Sequence, residues 1–161
     1  MRNVALIVAL LLIVFLLAAC QAAEKPVAKT DQGTLTLDQI AKTLPGFGVI
    51  MHRIGLRYTT AYYAAQAGNW DLVDYELEEM GEEFETGMIT RPKRKQPTQA
   101  FLDGPFAKLE KAAKTKKFSD FKTAFDKTVK ACNGCHASDD KSFIQYKLPD
   151  SPIDVLNVNA K

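Results

Sequence analysis

The sequence predicts an all-α fold, an antiparallel four-helix bundle, on three observations. From about residue 36 onward the apolar residues recur at steps of three and four. The periodic stretches run to about 15–22 residues and are joined by short links, the pattern of an up-and-down bundle. No stretch alternates convincingly with period two, and no hairpin signal appears.

The first helix is read from Leu44, Phe47, Met51, Ile54, Tyr58, Ala61, Tyr62 and Ala65, and Gly68-Asn69 ends it. Asn69 is a suitable cap for the second, whose first turn carries Asp71 and Asp74 where the helix dipole favours acids. That helix sets Val73, Leu77, Met80, Phe84 and Met88 on one face and ends between Gly87 and Pro92. A basic loop, Arg91 to Lys95, leads through Pro97-Thr98 to a third helix with Leu102, Phe106, Leu109 and Ala113 at helical spacing. Asp103-Gly104-Pro105 is a candidate start for it, because proline suits a first turn. The fourth carries Phe118, Phe121, Phe125, Val129, Cys132 and Cys135 on one stripe. Residues 139 to 161, with Pro149 and Pro152, read as an irregular C-terminal extension.

A chain of 161 residues holds one ordinary domain. With 21 basic and 19 acidic residues it lacks the basic excess that phosphate binding needs, which argues against nucleic acid as a partner. The charge is unevenly spread. The second helix carries eight acids and no bases between Asn69 and Thr90, whereas Asp103 to Lys130 carries eight lysines against four acids. Solvated helix faces explain this, and so does a dipolar surface that steers a redox partner.

Every position from Val4 to Ala19 is apolar, after Arg2 and before Cys20. A membrane span usually needs about 20 apolar residues, and this run is shorter, so it reads as an export signal. Its ending, Leu17-Ala18-Ala19-Cys20, resembles the bacterial lipoprotein signal. That resemblance implies cleavage before Cys20 and acylation of Cys20. Gln21 in place of the retention signal Asp favours the outer membrane, with the domain on the periplasmic side of the cell envelope. The expected plan is a signal peptide over 1–19, a lipidated flexible tether over 20–35, and a domain over 36–161 with its extension from about 139.

The three cysteines are too few and too clustered for a disulfide scaffold. Cys132-Asn133-Gly134-Cys135-His136 has the CxxCH spacing of a c-type haem attachment site. Two thiols three residues apart on a helix face one way and can add to the two porphyrin vinyl groups. His136 is then held against the iron as the proximal ligand. Zinc would need two more ligands, and His52 is the only other histidine. A thioredoxin-like dithiol would need a βαβ context, and a disulfide between the two cysteines leaves His136 without a role. Export to the periplasm agrees with one covalent haem c.

A CxxCH on the last of four helices resembles the class II cytochromes c, the cytochrome c′ group and its low-spin relatives, over roughly residues 36 to 138. The resemblance implies a four-helix bundle around a single haem. It also implies a dimer contact through the first helix, for which the apolar stripe Val49, Leu56 and Tyr63 is suited. The chain departs from that family by continuing for about 25 residues past His136.

Bundle topology sets the end of the fourth helix level with the early part of the first, where Met51 and His52 lie. On a helical wheel Met51 turns inward, with Phe47, Tyr58 and Tyr62, and His52 lies about 100° away. Three states of the sixth iron position follow: Met51 as ligand, His52 as ligand, or an open site. A filled site makes an electron carrier cycling between Fe(III) and Fe(II), the reading preferred here. An open one makes a five-coordinate protein that binds nitric oxide or carbon monoxide. Peroxidase activity would need a distal histidine or arginine, and His52 is the only histidine on that side. The redox protein partner is not named by the sequence.

Overall fold

The computed structural model describes residues 27–152 and 156–160. The apolar run, Cys20 and Gln21 fall outside them. The described chain is mostly helical, and none of its helices is long and apolar enough to cross a membrane. It divides into two units at Leu44 and Pro45.

The first unit contains a hairpin where the sequence gives no hairpin signal. Strands β1 (Val27–Thr30) and β2 (Gly33–Thr36) form an antiparallel hairpin, with Val27 opposite Thr36 and Thr30 opposite Gly33. Its turn is held by the Thr30 hydroxyl, which donates to the Gly33 carbonyl at 2.8 Å and accepts from the Gln32 amide at 3.3 Å. Gly33 supplies the positive φ of 134° that a side chain would resist. The strands are short and largely exposed, so they have no apolar face for a period-two pattern to reveal. Helix α1 (Leu37–Thr43) opens with a capping box. The Thr36 hydroxyl accepts from the Gln39 amide at 3.2 Å, and the Gln39 side chain accepts from the Thr36 amide at 2.8 Å.

The helical spacing that ran from Leu44 into Phe47 is not one helix. Leu44 precedes a proline and is extended, with ψ at 138°. The second unit then begins with α2 (Phe47–Ala67), capped at its end by left-handed Gly68, and Asn69 caps α3 (Trp70–Thr90) by accepting from the Leu72 amide at 3.1 Å. A 3₁₀ turn (Pro92–Arg94) leads into α4 (Lys95–Phe101), a π turn (Leu102–Phe106), α5 (Ala107–Ala113) and finally α6 (Phe118–Ser138). The third helical segment therefore starts at Lys95, not at Asp103-Gly104-Pro105. Pro105 has no amide hydrogen and would clash with the carbonyl of residue 101 in a regular helix. The widened π turn absorbs it, so the helix continues through the proline.

Helices α2 and α3 pack most closely of all. Gly87 makes this approach possible, because a Cβ there would lie 2.8 Å from the Phe47 ring. Arg57 of α2 binds two α3 carboxylates, Glu76 at 3.0 Å and Glu79 at 2.7 Å, and Arg53 binds Glu83 at 3.3 Å. Phe84 of α3 meets Phe101 and Phe106 from the third segment, and α5 packs on α6. Helix α6 meets α2 through aromatic rings. Tyr58 stacks on Phe125 at 4.0 Å, and Tyr62 lies edge-on to Phe118 at 5.5 Å, so the two helices run in opposite directions. The buried stripe of α2 is Ile50, Ile54, Tyr58, Ala61 and Ala65. It is turned toward Ile50 from the face the sequence implied, which leaves Met51 on its flank.

Candidate haem-attachment site

The last turns of α6 carry Cys132, Cys135 and His136, all half-buried, and both cysteines are free thiols. Residues three and four apart on a helix share a side, so the two thiols and the imidazole point to one flank. Burial, with a further contribution from neighbouring Cys135, pushes the Cys132 thiol up to about 12. The local wall is aromatic. Tyr146 lies edge-on to Tyr58 at 5.1 Å and near Phe125 at 6.3 Å. The Tyr58 hydroxyl donates to the Phe125 carbonyl at 2.7 Å, and burial raises its pKa, with Cys132 a secondary cause.

The described residues of the C-terminal extension have little regular structure, but they are bound to the helices. After α6 the chain turns back at Asp140, whose φ is 56°, and the Lys141 amide donates to the His136 carbonyl at 2.8 Å. Asp139 is paired with Arg94 from the 3₁₀ turn. The returning strand brings the Ile144 carbonyl to 3.0 Å from His136 Nδ1. A carbonyl only accepts, so Nδ1 carries a proton, and in the neutral imidazole Nε2 then keeps its lone pair. Asn133, between the two cysteines, holds Tyr146 by its backbone: its side-chain oxygen accepts from the Tyr146 amide at 2.9 Å. Further along, Tyr63 donates to the Pro149 carbonyl, and Asn69 donates to the carbonyls of Val158 at 3.3 Å and Ala160 at 2.6 Å.

No protein-family model, curated protein or solved structure matches the chain.

The candidate sixth ligands are separated by burial. Met51 is half-buried and packs on the core, while His52 is exposed. Carrying the Tyr58–Phe125 level along two oppositely directed helices sets the side chain of Met51 level with Cys132. Phe47 is then the residue level with His136, one turn or about 6 Å from the level expected for Met51. Of the apolar stripe suited to a dimer, Val49 and Leu56 are exposed, but Tyr63 is engaged by the extension. Among the described residues no three His, Cys, Asp or Glu side chains converge as a metal cage.

The acidic helix α3 serves two purposes. Glu76, Glu79 and Glu83 turn toward α2 and its arginines, and Glu76 is 2% exposed. Asp71, Asp74, Glu78, Glu82 and Glu85 stay exposed at helical steps of three and four, a single acidic stripe. The eight lysines between Asp103 and Lys130 are all exposed. Sequence reasoning missed Asn133, Ile144 and Tyr146 as site residues, since Ile144 and Tyr146 are engaged through backbone groups, and Asn133 through its side chain on one of them, only once the chain returns.

Proposed function

We propose that this chain is a monohaem c-type cytochrome that transfers electrons on the periplasmic side of a bacterial cell envelope, held there by a lipid anchor at Cys20. In this reading an antiparallel four-helix bundle built from α2, α3, the α4–α5 segment and α6 carries the haem on its last helix. The observation that carries the proposal is His136, presented next to two free thiols with Nδ1 bound to a carbonyl and Nε2 without a hydrogen-bond partner among the described residues. Metal-ligating histidines almost always donate their other ring nitrogen in this way. The residues fit the group: Cys132 and Cys135 would hold it by thioether bonds, and His136 Nε2 would ligate its iron.

Haem, when bound, supplies a Fe(III)/Fe(II) couple. The chain's own residues decide what that couple does. The aromatic cluster of Tyr58, Phe125 and Tyr146 would give a bound haem an apolar neighbourhood, which favours one-electron exchange over ligand exchange. Met51 is the sixth-ligand candidate on burial, its soft thioether half-buried against the core about one turn from the level of His136, whereas His52 is exposed to solvent. Its exposure also removes support from a peroxidase. The acidic stripe on α3 and the lysines of α5 and α6 make a dipolar surface suited to steering a redox protein.

The ligand assignment is tested by visible spectra of the purified holoprotein. The wild type is expected to be six-coordinate and low-spin. Met51→Ala should turn it high-spin and open it to carbon monoxide, while His52→Ala should leave the spectrum unchanged. A high-spin wild type would replace the carrier with a gas-binding protein of the cytochrome c′ type.

A further inference from the structure

The segment from Asp139 to Pro149 does more than cover α6. Two of its features act on His136 at once: the Ile144 carbonyl accepts from Nδ1, and the Lys141 amide donates to the His136 backbone carbonyl. Neither contact is made by a helix. Ile144 is 46% exposed and its neighbour Phe143 is 80% exposed, so burial does not hold this turn in place. Its register must be fixed elsewhere, and the structure offers three fixings. The first is the Arg94–Asp139 pair at the start of the turn.

The second is Asn133, which grips the backbone of Tyr146, two residues past Ile144. Its Oδ1 accepts from the Tyr146 amide at 2.9 Å, and its Nδ2 donates to the Tyr146 carbonyl at 3.5 Å. The third is the Tyr146 hydroxyl, 2.9 Å from Thr59 Oγ1. Thr59 already spends its one proton on the Gly55 carbonyl at 2.9 Å, so Tyr146 is the donor.

We infer that this segment is a strap that sets the electron-donating strength of the proximal histidine, with Asn133 as its positioning residue. The inference rests on the haem reading above. An Nδ1 proton shared with a carbonyl gives the imidazole more anionic character, strengthens its bond to Fe(III), and lowers the reduction potential. Asn133 sits inside the attachment motif but contributes neither a thiol nor an iron ligand. It can therefore be changed without removing a bond to the haem.

The test compares wild-type holoprotein with Asn133→Ala and Asn133→Asp. Alanine loses both grips on Tyr146. Aspartate keeps the acceptor of the 2.9 Å bond and should rescue. Asn133→Ala is expected to retain covalent haem while the Fe(II)-to-Fe(III) stability ratio rises about tenfold, about 59 mV for one electron. The Nδ1 proton, followed by NMR, is expected to exchange slowly in the reduced wild type and freely in the variant. Tyr146→Phe, which loses only the Thr59 anchor, should move both readouts in the same direction and by less, and it serves if Asn133→Ala does not load haem. Unchanged potential and unchanged Nδ1 exchange in a haem-loaded variant would overturn the strap. A wild type without covalent haem would instead overturn the reading on which the strap rests.

Discussion

Tyr146 shows how much a single side chain can hold. Its backbone is bound to Asn133, its ring packs on Tyr58 and Phe125, and its hydroxyl reaches Thr59. Burial, ahead of any charge, pushes its phenol up to about 12. Because the folded value lies above the ordinary value of 10.0, the side chain favours the folded chain fully below that value. Between pH 10 and about 12 the unfolded chain ionises and the folded one resists, so the contribution is lost as pH rises. Denaturant midpoints measured across this window should fall more steeply for the wild type than for Tyr146→Phe. Equal slopes would mean that the hydroxyl is not held as described. None of this was legible in the sequence, where Tyr146 stood in an extension without periodicity.

At the scale of elements, the contact between α2 and α3 turns on Gly87. A Cβ there would meet the Phe47 ring at 2.8 Å and 3.3 Å and Ile50 at 3.6 Å. Alanine normally gains about 1 kcal/mol over glycine within a helix, and overpacking costs about 1–3 kcal/mol. The clash outweighs the propensity because the new methyl would meet the Phe47 ring with fully buried Ile50 also beside it, and Gly87→Ala should lower stability by about 1 kcal/mol. Gly81→Ala, on the same helix with open space around it, should raise the melting temperature instead. If both variants melt higher, the helices do not approach as described.

The same helices show what periodicity can and cannot convey. The ends of α2 and α3 were legible, because Gly68 and Asn69 act through local backbone geometry. The start of the third segment was not: Pro105 announces a helix start, and only the neighbouring packing of Phe101 and Phe106 on Phe84 carries the helix through it. Similarly, the wheel of α2 was displaced because Ile50 is buried against α3, a contact that a single helix does not encode. The β1–β2 hairpin was hidden by having no buried face. At the site, Cys132, Cys135 and His136 stood out in the sequence by their spacing alone, and they lie together in the last turns of α6. The strap that presents His136 depends on a chain reversal that leaves no pattern.

For the whole molecule, the helices, the strap and the charge distribution support one account. Arginines of α2 pair with the inner carboxylates of α3, while the outer acidic stripe and the lysines of α5 and α6 stay exposed to solvent. Under the proposed function this surface would steer a redox partner to the haem, and that proposal depends on the two thiols. The most direct measurement is therefore the intact mass of the denatured protein after production in cells that attach haem in the periplasm. The account expects one haem per polypeptide, colour that stays with the protein through acid-acetone extraction, and loss of both when Cys132 and Cys135 are changed to alanine. A colourless chain of unmodified mass, or haem that leaves with the solvent, would contradict it.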